Sequence, residues 1–381
     1  MRQQQLALTA AGHNVVMVSA ARGRGARVRS VVDGIEIAPL FFLPGVQLPL
    51  IPNNTSTRST LNALFEKHGV NAVHVQTEFG LAHAAADVAA ARSVPVIHTV
   101  HTFYWASEDN WFNPLAGFAR WALTKLTGAR IPRQSFTPRA VDNLLRNVTL
   151  AMAERADTVV SPSAHQARDL EAAGVAGPIA LVPNPVSTSP RPPRPLPTLA
   201  GPPRFLWVAR CEPVKRPLPF ARAAIEALRQ TDDGFSIDFV GDGTDRVELQ
   251  RIVAGHPQLR IQGALPHDDV LDLMDAASIV VLTSVGFDNQ PMTIAEAVSR
   301  HRGILYCDPK LREGLLRAGH LAAGHDEADL TDAIVELVQN PSLLTRLSEG
   351  AAADGAQFSP GVFVGRMIRV FDDAVEKIAV R

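Results

Sequence analysis

The chain has 381 residues, of which 46% are apolar and 20% charged, and its 37 basic side chains nearly balance 38 acidic ones. This composition is typical of a soluble globular protein, and the length suits two domains of about 150–200 residues each rather than one. The charge balance argues against a nucleic-acid partner. Two cysteines cannot form a disulfide framework, and no apolar run reaches the length of a membrane span, about 18 residues. We therefore expect a cytoplasmic protein.

The beginning of the chain predicts a helix over residues 1–11, closed by Gly12, and then a buried strand over residues 14–20. A doubly wound α/β domain normally opens with a strand and a glycine-bearing turn before its first helix, because that strand lies centrally in the sheet. We therefore expect the first strand to be missing from this chain and to be encoded upstream.

Strands and helices alternate through the rest of the first half. Helical spacing predicts helices over residues 57–69 and 81–92, and apolar runs predict strands over residues 72–75 and 94–100. Such alternation gives parallel strands joined by right-handed crossovers. Because ligands bind beyond the carboxyl ends of parallel strands, His101 is a candidate for substrate contact, although a lone histidine is more often structural.

A basic and aromatic stretch follows, and residues 110–141 contain no acidic side chain. Its aromatic and basic residues include Trp111, Phe112, Phe118, Arg120, Trp121, Lys125, Arg130, Arg133 and Arg139, and Trp105 lies just before it. This combination is typical of a surface helix at a membrane, so residues 105–139 are a candidate for peripheral contact with anionic membrane or a lipid acceptor. The alternative is that Phe118, Trp121 and Leu126 pack on the domain.

A proline-rich segment, residues 186–203, predicts a stiff linker to a second α/β domain. The first strand of that domain, residues 205–209, leads into a loop that carries Arg210 and Lys215. Two cations at the carboxyl end of a strand are placed to neutralise a diphosphate leaving group as charge develops on it.

Two glycine turns follow later strands of the second domain. The strand over residues 236–240 ends in Gly241-Asp-Gly, and the strand over residues 259–262 ends in Gly263-Ala-Leu265. Small residues at such a turn would let a ligand approach the backbone, although a lone Gly-x-Gly is a weak signal.

The most informative stretch is residues 281–302, where a buried strand gives way to a polar loop and then to helical spacing. Pro291 marks the predicted first helical position, since its missing N–H would be unpaired there anyway. The free amides and the dipole of this helix end form an anion site that suits phosphate. Glu296 lies about 7.5 Å further along the axis, at a distance that suits a ribose. Strand–loop–helix units of this kind nevertheless occur in every parallel α/β protein.

The stretch Phe-Asp-Asn-Gln-Pro-Met-Thr-Ile-Ala-Glu-Ala, residues 287–297, places seven residues between Asp288 and Glu296. It resembles the two-carboxylate signature of the retaining glycosyltransferases of family 4. Residues 11–18, the strand that ends in His101, and the Arg-x4-Lys pair in the second domain resemble the same family. The family commonly has Glu where this chain has Asp288, and Gly where it has Pro185.

The resemblance implies an α/β fold of the GT-B kind, with two Rossmann-like doubly wound domains facing a cleft and the first strand of the N-terminal domain missing. We expect an acceptor-side domain over residues 1–185, the linker over 186–203, a nucleotide-sugar-binding domain over 204–356, and a C-terminal helix over 357–381 that returns to the first domain.

The resemblance also implies residue roles. The candidate catalytic residues are His101, which would face the donor sugar, Arg210 and Lys215, which would bind the diphosphate, and Asp288, which would contact sugar hydroxyls. The candidate donor-binding residues are Gly241, Gly263, Leu265, Asn289, Gln290, Pro291, Met292 and Glu296, the last of these on the ribose.

The expected function is transfer of a hexosyl group from a nucleotide-diphosphate sugar to a lipid or glycan acceptor, with retention at the anomeric carbon and without a metal or cofactor. No His, Asp or Cys cluster has metal-ligand spacing, and there is no P-loop. Two alternatives remain open. One is a sugar-nucleotide epimerase of the same architecture, and the other is a non-catalytic relative that binds nucleotide sugar or a partner.

Overall fold

The structure is a computed structural model that describes residues 1–21, 28–31, 34–43, 48–104, 116–186, 192–194, 196, 201–231 and 234–379. The chain divides into two compact units. The first unit comprises Met1–Val182 and Phe363–Arg381, and the second comprises Pro183–Val362.

The first unit is an α/β unit with several small sheets. Its elements are α1 (Arg2–Ala10), β1 (Val18–Ala20), β2 (Val28–Val31), β3 (Gly34–Ile37), β4 (Phe41–Leu43), β5 (Leu48–Leu50), α2 (Thr55–His68), β6 (Val73–Val75), α3 (Gly80–Ala91), β7 (Val96–Thr99), α4 (Ala116–Thr127), α5 (Ala140–Ala153), β8 (Thr158–Ser161), α6 (Ala164–Ala172) and β9 (Ala180–Leu181). Strands β6, β7, β8 and β9 form a parallel sheet in that order. In the described part of this unit, β1, β3 and β2 form a separate sheet, and β4 and β5 pair as a hairpin.

Close packing in the first unit explains its alanine-rich helix. Every described residue of β7 and β8 is buried, as expected for parallel strands covered on both faces. Helix α3 lies so near its neighbours that a Cβ at Gly80 would lie 2.3 Å from the carbonyl oxygen of Ile51. Glycine at residue 80 is therefore required for the start of α3 to lie this close to its neighbours, and the alanines at residues 82, 84, 86 and 89 of α3 are buried.

The second unit contains one fully parallel sheet. Its elements are β10 (Arg204–Val208), α7 (Pro217–Gln230), β11 (Ser236–Val240), α8 (Arg246–Val253), β12 (Leu259–Gly263), α9 (His267–Ala276), β13 (Ile279–Leu282), α10 (Met292–Ser299), β14 (Gly303–Tyr306), β15 (Gly319–Leu321), α11 (Glu327–Gln339) and α12 (Pro341–Gly355). The strand order is β12-β11-β10-β13-β14-β15, which is a doubly wound order with its switch point between β10 and β13. The prediction of a doubly wound second domain is confirmed.

Strand alternation sends the side chains of β10 into two cores, one on each face of the sheet. Phe205 and Trp207 belong to the core beneath α7 and α11, whereas Leu206 belongs to the core beneath α10. The last helix, α13 (Pro360–Ala379), packs on the first unit, where Phe363 and Met367 lie in one cluster with Ile97 of β7. Among the described residues, no helix is both long and apolar enough to cross a membrane.

Candidate functional site

The switch point of the second unit gathers two loops. The loop after β10 carries Arg210 and Lys215, and the loop after β13 carries Asp288 and leads into α10. The hydroxyl of Thr293, in the first turn of α10, donates to the carbonyl oxygen of Val208 at 3.3 Å, which fixes the start of this helix beside the end of β10. This is the edge of an α/β sheet at which ligands bind.

Lys215 and Asp288 form an ion pair at this edge. The Lys215 ammonium donates to Asp288 Oδ1, and the Ser284 hydroxyl donates to Asp288 Oδ2. Only 14% of the Lys215 side chain and 11% of the Asp288 side chain are exposed. The ammonium also lies 5.0 Å from the centre of the Phe287 ring. Two residues that the sequence placed in separate roles are thus direct partners.

Arg210 lies apart from that pair. Its side chain is 60% exposed, and its guanidinium donates to Glu212 Oε1 at 2.7 Å. The sequence reasoning missed Glu212, because a partner two residues away in an irregular loop leaves no periodic signal. The two predicted diphosphate ligands therefore each contact a different carboxylate.

Helix α10 begins at Met292, so the prediction that Pro291 is the first helical residue is wrong by one position. Pro291 is the N-cap, with φ −63° and an extended ψ of 120°, and proline can take this ψ as readily as a helical one. Asn289 is buried, and Gln290 binds the segment that opens the second unit. Gln290 Oε1 accepts from the backbone N–H of Asn184 at 2.7 Å and from its side-chain amide at 2.9 Å.

Glu296 lies on α10, with its carboxylate 3.9 Å from Nδ1 of His267. Its side chain is 14% exposed, and this burial raises the pKa of Glu296 above the ordinary value, while His267 acts in the opposite direction. His267 was missed by the sequence reasoning, because nothing in the sequence shows that the start of α9 approaches α10.

Backbone packing explains the first glycine turn, whereas Gly263 has a φ of 73° that favours glycine. Gly241 has a φ of 140°, and a Cβ there would lie 1.8 Å from the carbonyl oxygen of Ala209. The amide of Gly241 donates to the carbonyl oxygen of Gly263 at 2.8 Å, which ties the two turns together. Leu265 packs partly buried against the core beneath α10. Residue 241 must therefore be glycine because the backbone of the loop after β10 lies too close for a Cβ, whether or not a ligand also approaches.

His101 belongs to the first unit, just beyond β7, and is half-buried. Its Nε2 lies 3.0 Å from Gln76 Oε1, and the amide nitrogen of Gln76 donates to Gln4 Oε1 at 2.6 Å. Because Gln76 offers an oxygen to the ring, we assign the proton to Nε2. Burial lowers the pKa of His101 to about 4, so the imidazole is neutral at pH 7.

Two buried groups lie near the same end of this sheet. His98 is fully buried, and its Nε2 lies 3.9 Å from Oε1 of Glu78. Burial lowers the pKa of His98 to about 3 and raises the pKa of Glu78 to about 8. Both groups are therefore mostly uncharged at neutral pH, and neither had been assigned a role from the sequence.

The free energy of unfolding of the wild type should fall as the pH rises, because Glu78 is buried and protonated, and Glu78→Gln should lack this fall. A carboxyl group whose pKa is raised on folding stabilises the fold below its unfolded value and loses that contribution as the pH rises through its folded value, here between about 4.5 and 8. Urea unfolding at pH 6 and pH 9 should show the wild type losing at least about 1 kcal/mol more than Glu78→Gln, since one pKa unit corresponds to about 1.4 kcal/mol. Glu66→Gln, at an exposed carboxylate of the same unit, is the matched control. Equal pH dependence in all three proteins would contradict the buried, protonated state of Glu78.

The aromatic residues of α4 face solvent. Phe118 is 68% exposed and Trp121 58% exposed, and their rings stack with centres 5.7 Å apart. The packing alternative is therefore wrong for these two residues, although Leu126 is buried as that alternative required. Trp105, Trp111 and Phe112 lie outside the described residues. Within the described ranges, no group of three or more His, Cys, Asp or Glu side chains is arranged to hold a metal ion.

Comparison with known proteins agrees with this architecture. Residues 4–190 match the family model described as Glycosyltransferase Family 4, and residues 202–340 match the model described as Glycosyl transferases group 1. The fold is that of the GT-B glycosyltransferases. The chain belongs to glycosyltransferase family 4.

Two curated relatives are D-inositol 3-phosphate glycosyltransferases. The one from Catenulispora acidiphila is 26% identical over 190 residues, or 45% of this chain and 44% of that protein. The one from Thermobispora bispora is 25% identical over 192 residues, or 46% of this chain and 44% of that protein. The match thus spans less than half the length of each relative.

Solved structures share the fold at low sequence identity. Sucrose-phosphate synthase from Thermosynechococcus elongatus has a TM-score of 0.67 at 18% identity, covering 98% of this chain and 92% of that one. A glycosyltransferase from Rickettsia africae has a TM-score of 0.66 at 13% identity, covering 98% and 94%. Anabaena HepE in complex with UDP has a TM-score of 0.60 at 14% identity, covering 86% of each chain.

Proposed function

We propose that this protein transfers a hexosyl group from a nucleotide-diphosphate sugar to a lipid or glycan acceptor, with retention at the anomeric carbon and without a metal or cofactor. The observation that carries the proposal is the arrangement at the switch point of the second unit. There a mostly buried lysine, the N-terminus of α10 and the carboxylate of Glu296 follow one another along one edge of the sheet.

The chemistry follows from these groups. A diphosphate at the start of α10 would interact with the helix dipole and the first-turn amides, with Lys215 beside it. The exposed Arg210 would have to exchange its bond to Glu212 for the solvent-facing phosphate oxygens. Glu296 would accept hydrogen bonds from the ribose hydroxyls. As the bond to the sugar breaks, the leaving phosphate gains charge and takes the proton of the acceptor hydroxyl. No protein nucleophile is required.

Asp288 would contact donor hydroxyls while still holding Lys215, and we assign the neutral imidazole of His101 to the donor sugar. One fold neighbour is described in complex with UDP, which supports a nucleotide-sugar donor. Two curated relatives are named D-inositol 3-phosphate glycosyltransferases, which supports a phosphorylated polyol as acceptor. A phosphorylated polyol is therefore the first glycan-type acceptor to test.

A thermal-shift panel of nucleotide sugars and nucleoside diphosphates tests the donor assignment. A ligand at a hundred times its Kd should stabilise the folded protein by about 2.7 kcal/mol through mass action. We expect at least one nucleotide sugar and its parent diphosphate to raise the melting temperature. A panel without any shift would contradict the proposal. Binding without transfer to any acceptor would favour a non-catalytic relative, and interconversion of the sugar would favour an epimerase.

A second proposal concerns the membrane and rests on the exposed face of α4. That face carries Phe118 and Trp121, and Lys125 follows one turn later, also exposed. Arg120 is turned away, donating to the carbonyl oxygens of Ile131 and Pro132 at 3.1 and 2.6 Å. An exposed aromatic pair beside a basic residue, in a stretch without acids, suits the interface of an anionic bilayer.

Liposome co-sedimentation tests this surface. Binding should require anionic lipid and weaken as salt is added, because exposed charges are screened within about 8 Å at physiological ionic strength. The double variant Phe118→Ser/Trp121→Ser should lose binding, whereas Leu316→Ser should not, although Leu316 is 84% exposed in the second unit. Equal recovery with neutral and anionic vesicles would contradict the proposal.

A further inference from the structure

The two residues that follow β13 both act on Lys215. Thr283 bonds its backbone carbonyl, and Ser284 bonds Asp288, the carboxylate that holds its ammonium. We propose that Thr283, together with Ser284, is a positioning residue that fixes Lys215 for the donor diphosphate. This inference rests on the proposed function, because it assigns to Thr283 an effect on the leaving group that acts through Lys215. Neither hydroxyl residue was singled out by the sequence.

The hydroxyl of Thr283 holds the backbone of the lysine loop. Thr283 is 1% exposed, and its hydroxyl donates to the carbonyl oxygen of Lys215 at 2.6 Å. The hydroxyl oxygen of Thr283 in turn accepts from the indole N–H of Trp207, itself 1% exposed, at 2.9 Å. A hydroxyl has one donor and two acceptor sites, so the single O–H of Thr283 is used in the bond to the lysine loop. The loop is thereby tied to a buried side chain of β10.

The loop needs such a tie because its backbone is strained. Arg216 has φ 56° and ψ 45°, a left-handed conformation that is uncommon for a residue other than glycine. The next residue is Pro217, and proline favours an extended conformation in the residue before it. Such a conformation persists only where surrounding contacts determine it, and the contacts to the adjacent carbonyl of Lys215 are of this kind.

Ser284 acts on the other end of the lysine. Its hydroxyl donates to Asp288, whose second carboxylate oxygen accepts from the Lys215 ammonium. An ammonium has three donors, and Asp288 uses one, so this pair orients the lysine and leaves donors for phosphate oxygens. A flexible lysine side chain otherwise loses rotamer entropy when a ligand fixes it. Fixing it in advance is what electrostatic stabilisation of a leaving group requires.

The structure also accounts for aspartate in place of the family's commoner glutamate. Asp288 receives the hydroxyl of Ser284 and the ammonium of Lys215 on its two oxygens, with Phe287 packed beneath the ammonium. A longer side chain would displace either the hydroxyl or the ammonium from this geometry. We therefore expect Asp288→Glu to reduce turnover even though the charge is kept.

The test is a double-mutant cycle on turnover. Thr283→Val keeps the shape of the side chain and removes the hydroxyl, and we expect it to lower kcat about 10- to 100-fold, as small misplacements of a reacting group do. Thr283→Ser should retain most of the activity. In a Lys215→Ala background, Thr283→Val should cause no further loss. Thr331→Val is the matched control, because Thr331 is also buried and donates to a backbone carbonyl, that of Glu327 at 2.7 Å, away from the switch point.

The outcomes are distinguishable. Wild-type kcat in Thr283→Val, or the same fold-loss with and without Lys215, would overturn the inference and leave the proposed function intact. No transfer by the wild type would overturn the proposed function, and hydrogen exchange then tests the inference. The amides of Lys215 and Arg216, bonded to Glu212 and Pro213 at 2.8 and 3.0 Å, should exchange faster in Thr283→Val than in Thr331→Val. Unchanged exchange would overturn it.

Discussion

Replacement of Lys215 by alanine is expected to lower turnover about 10²- to 10³-fold, the usual cost of losing one preorganised electrostatic contact to developing charge. The effect should be large because the ammonium is mostly buried, packed on Phe287 and already oriented by Asp288. A charge held this way stabilises a leaving diphosphate without first reorganising solvent. Initial-rate kinetics with the donor that the thermal-shift panel identifies would measure the loss.

Two further variants make this result decisive. Lys215→Ala leaves the carboxylate of Asp288 without its cation in a mostly buried position, which can destabilise the fold. The double variant Lys215→Ala/Asp288→Asn removes that charge and should be folded and still slow. Lys67→Ala, at an exposed lysine of the first unit, should keep wild-type turnover. Undiminished turnover in folded Lys215→Ala would remove the lysine from the mechanism.

Replacement of Glu296 by alanine is expected to weaken binding of a nucleoside diphosphate by about 1.5–3 kcal/mol, as for a charge-assisted hydrogen-bond site. The sharpest measurement compares, by calorimetry, the nucleoside diphosphate that the thermal-shift panel identifies with its 2′-deoxy analogue. A site that bonds a hydroxyl discriminates strongly against the analogue without it, so the wild type should prefer the ribonucleotide and Glu296→Ala should lose the preference. Glu349→Ala, at an exposed carboxylate of the second unit, should behave as the wild type.

The pH dependence of binding supplies an independent check on Glu296. Burial raises the pKa of this carboxyl, and only its ionised form accepts from both ribose hydroxyls. Nucleotide affinity should therefore fall as the pH falls through that raised pKa, and the fall should be absent in Glu296→Ala. An unaltered Kd for that nucleoside diphosphate in Glu296→Ala, at any pH tested, would contradict the ribose assignment.

Periodic features of the fold were predictable from the sequence. Apolar runs marked β10 and β13, the second of them rich in β-branched residues, and the proline before α10 located the helix start to within one residue. The doubly wound order follows from the alternation of strands and helices, because crossovers have one hand. Family resemblance then brought Lys215, Asp288 and Glu296 into one site.

The contacts that join distant residues were not predictable. Lys215 and Asp288 lie 73 positions apart, and nothing in either loop indicates that the two side chains meet. Thr283 was given no role from the sequence, because its contacts are with Lys215 and with Trp207 on the neighbouring strand β10. Gly241 was attributed to a ligand, yet the carbonyl of Ala209 alone excludes a Cβ there. Contacts between side chains far apart in sequence, and close approaches between backbone segments, depend on the tertiary arrangement. No short stretch of the sequence indicates that arrangement.

The most direct test of the central claim is to follow the anomeric proton of a nucleotide sugar by NMR, in the presence of excess EDTA and a panel of polyol-phosphate, glycan and lipid acceptors. The proposal predicts release of the nucleoside diphosphate and a product with the same anomeric configuration as the donor, at an unchanged rate when EDTA is added. A product of inverted configuration, a reaction abolished by EDTA, or a bound donor that no acceptor consumes would contradict it.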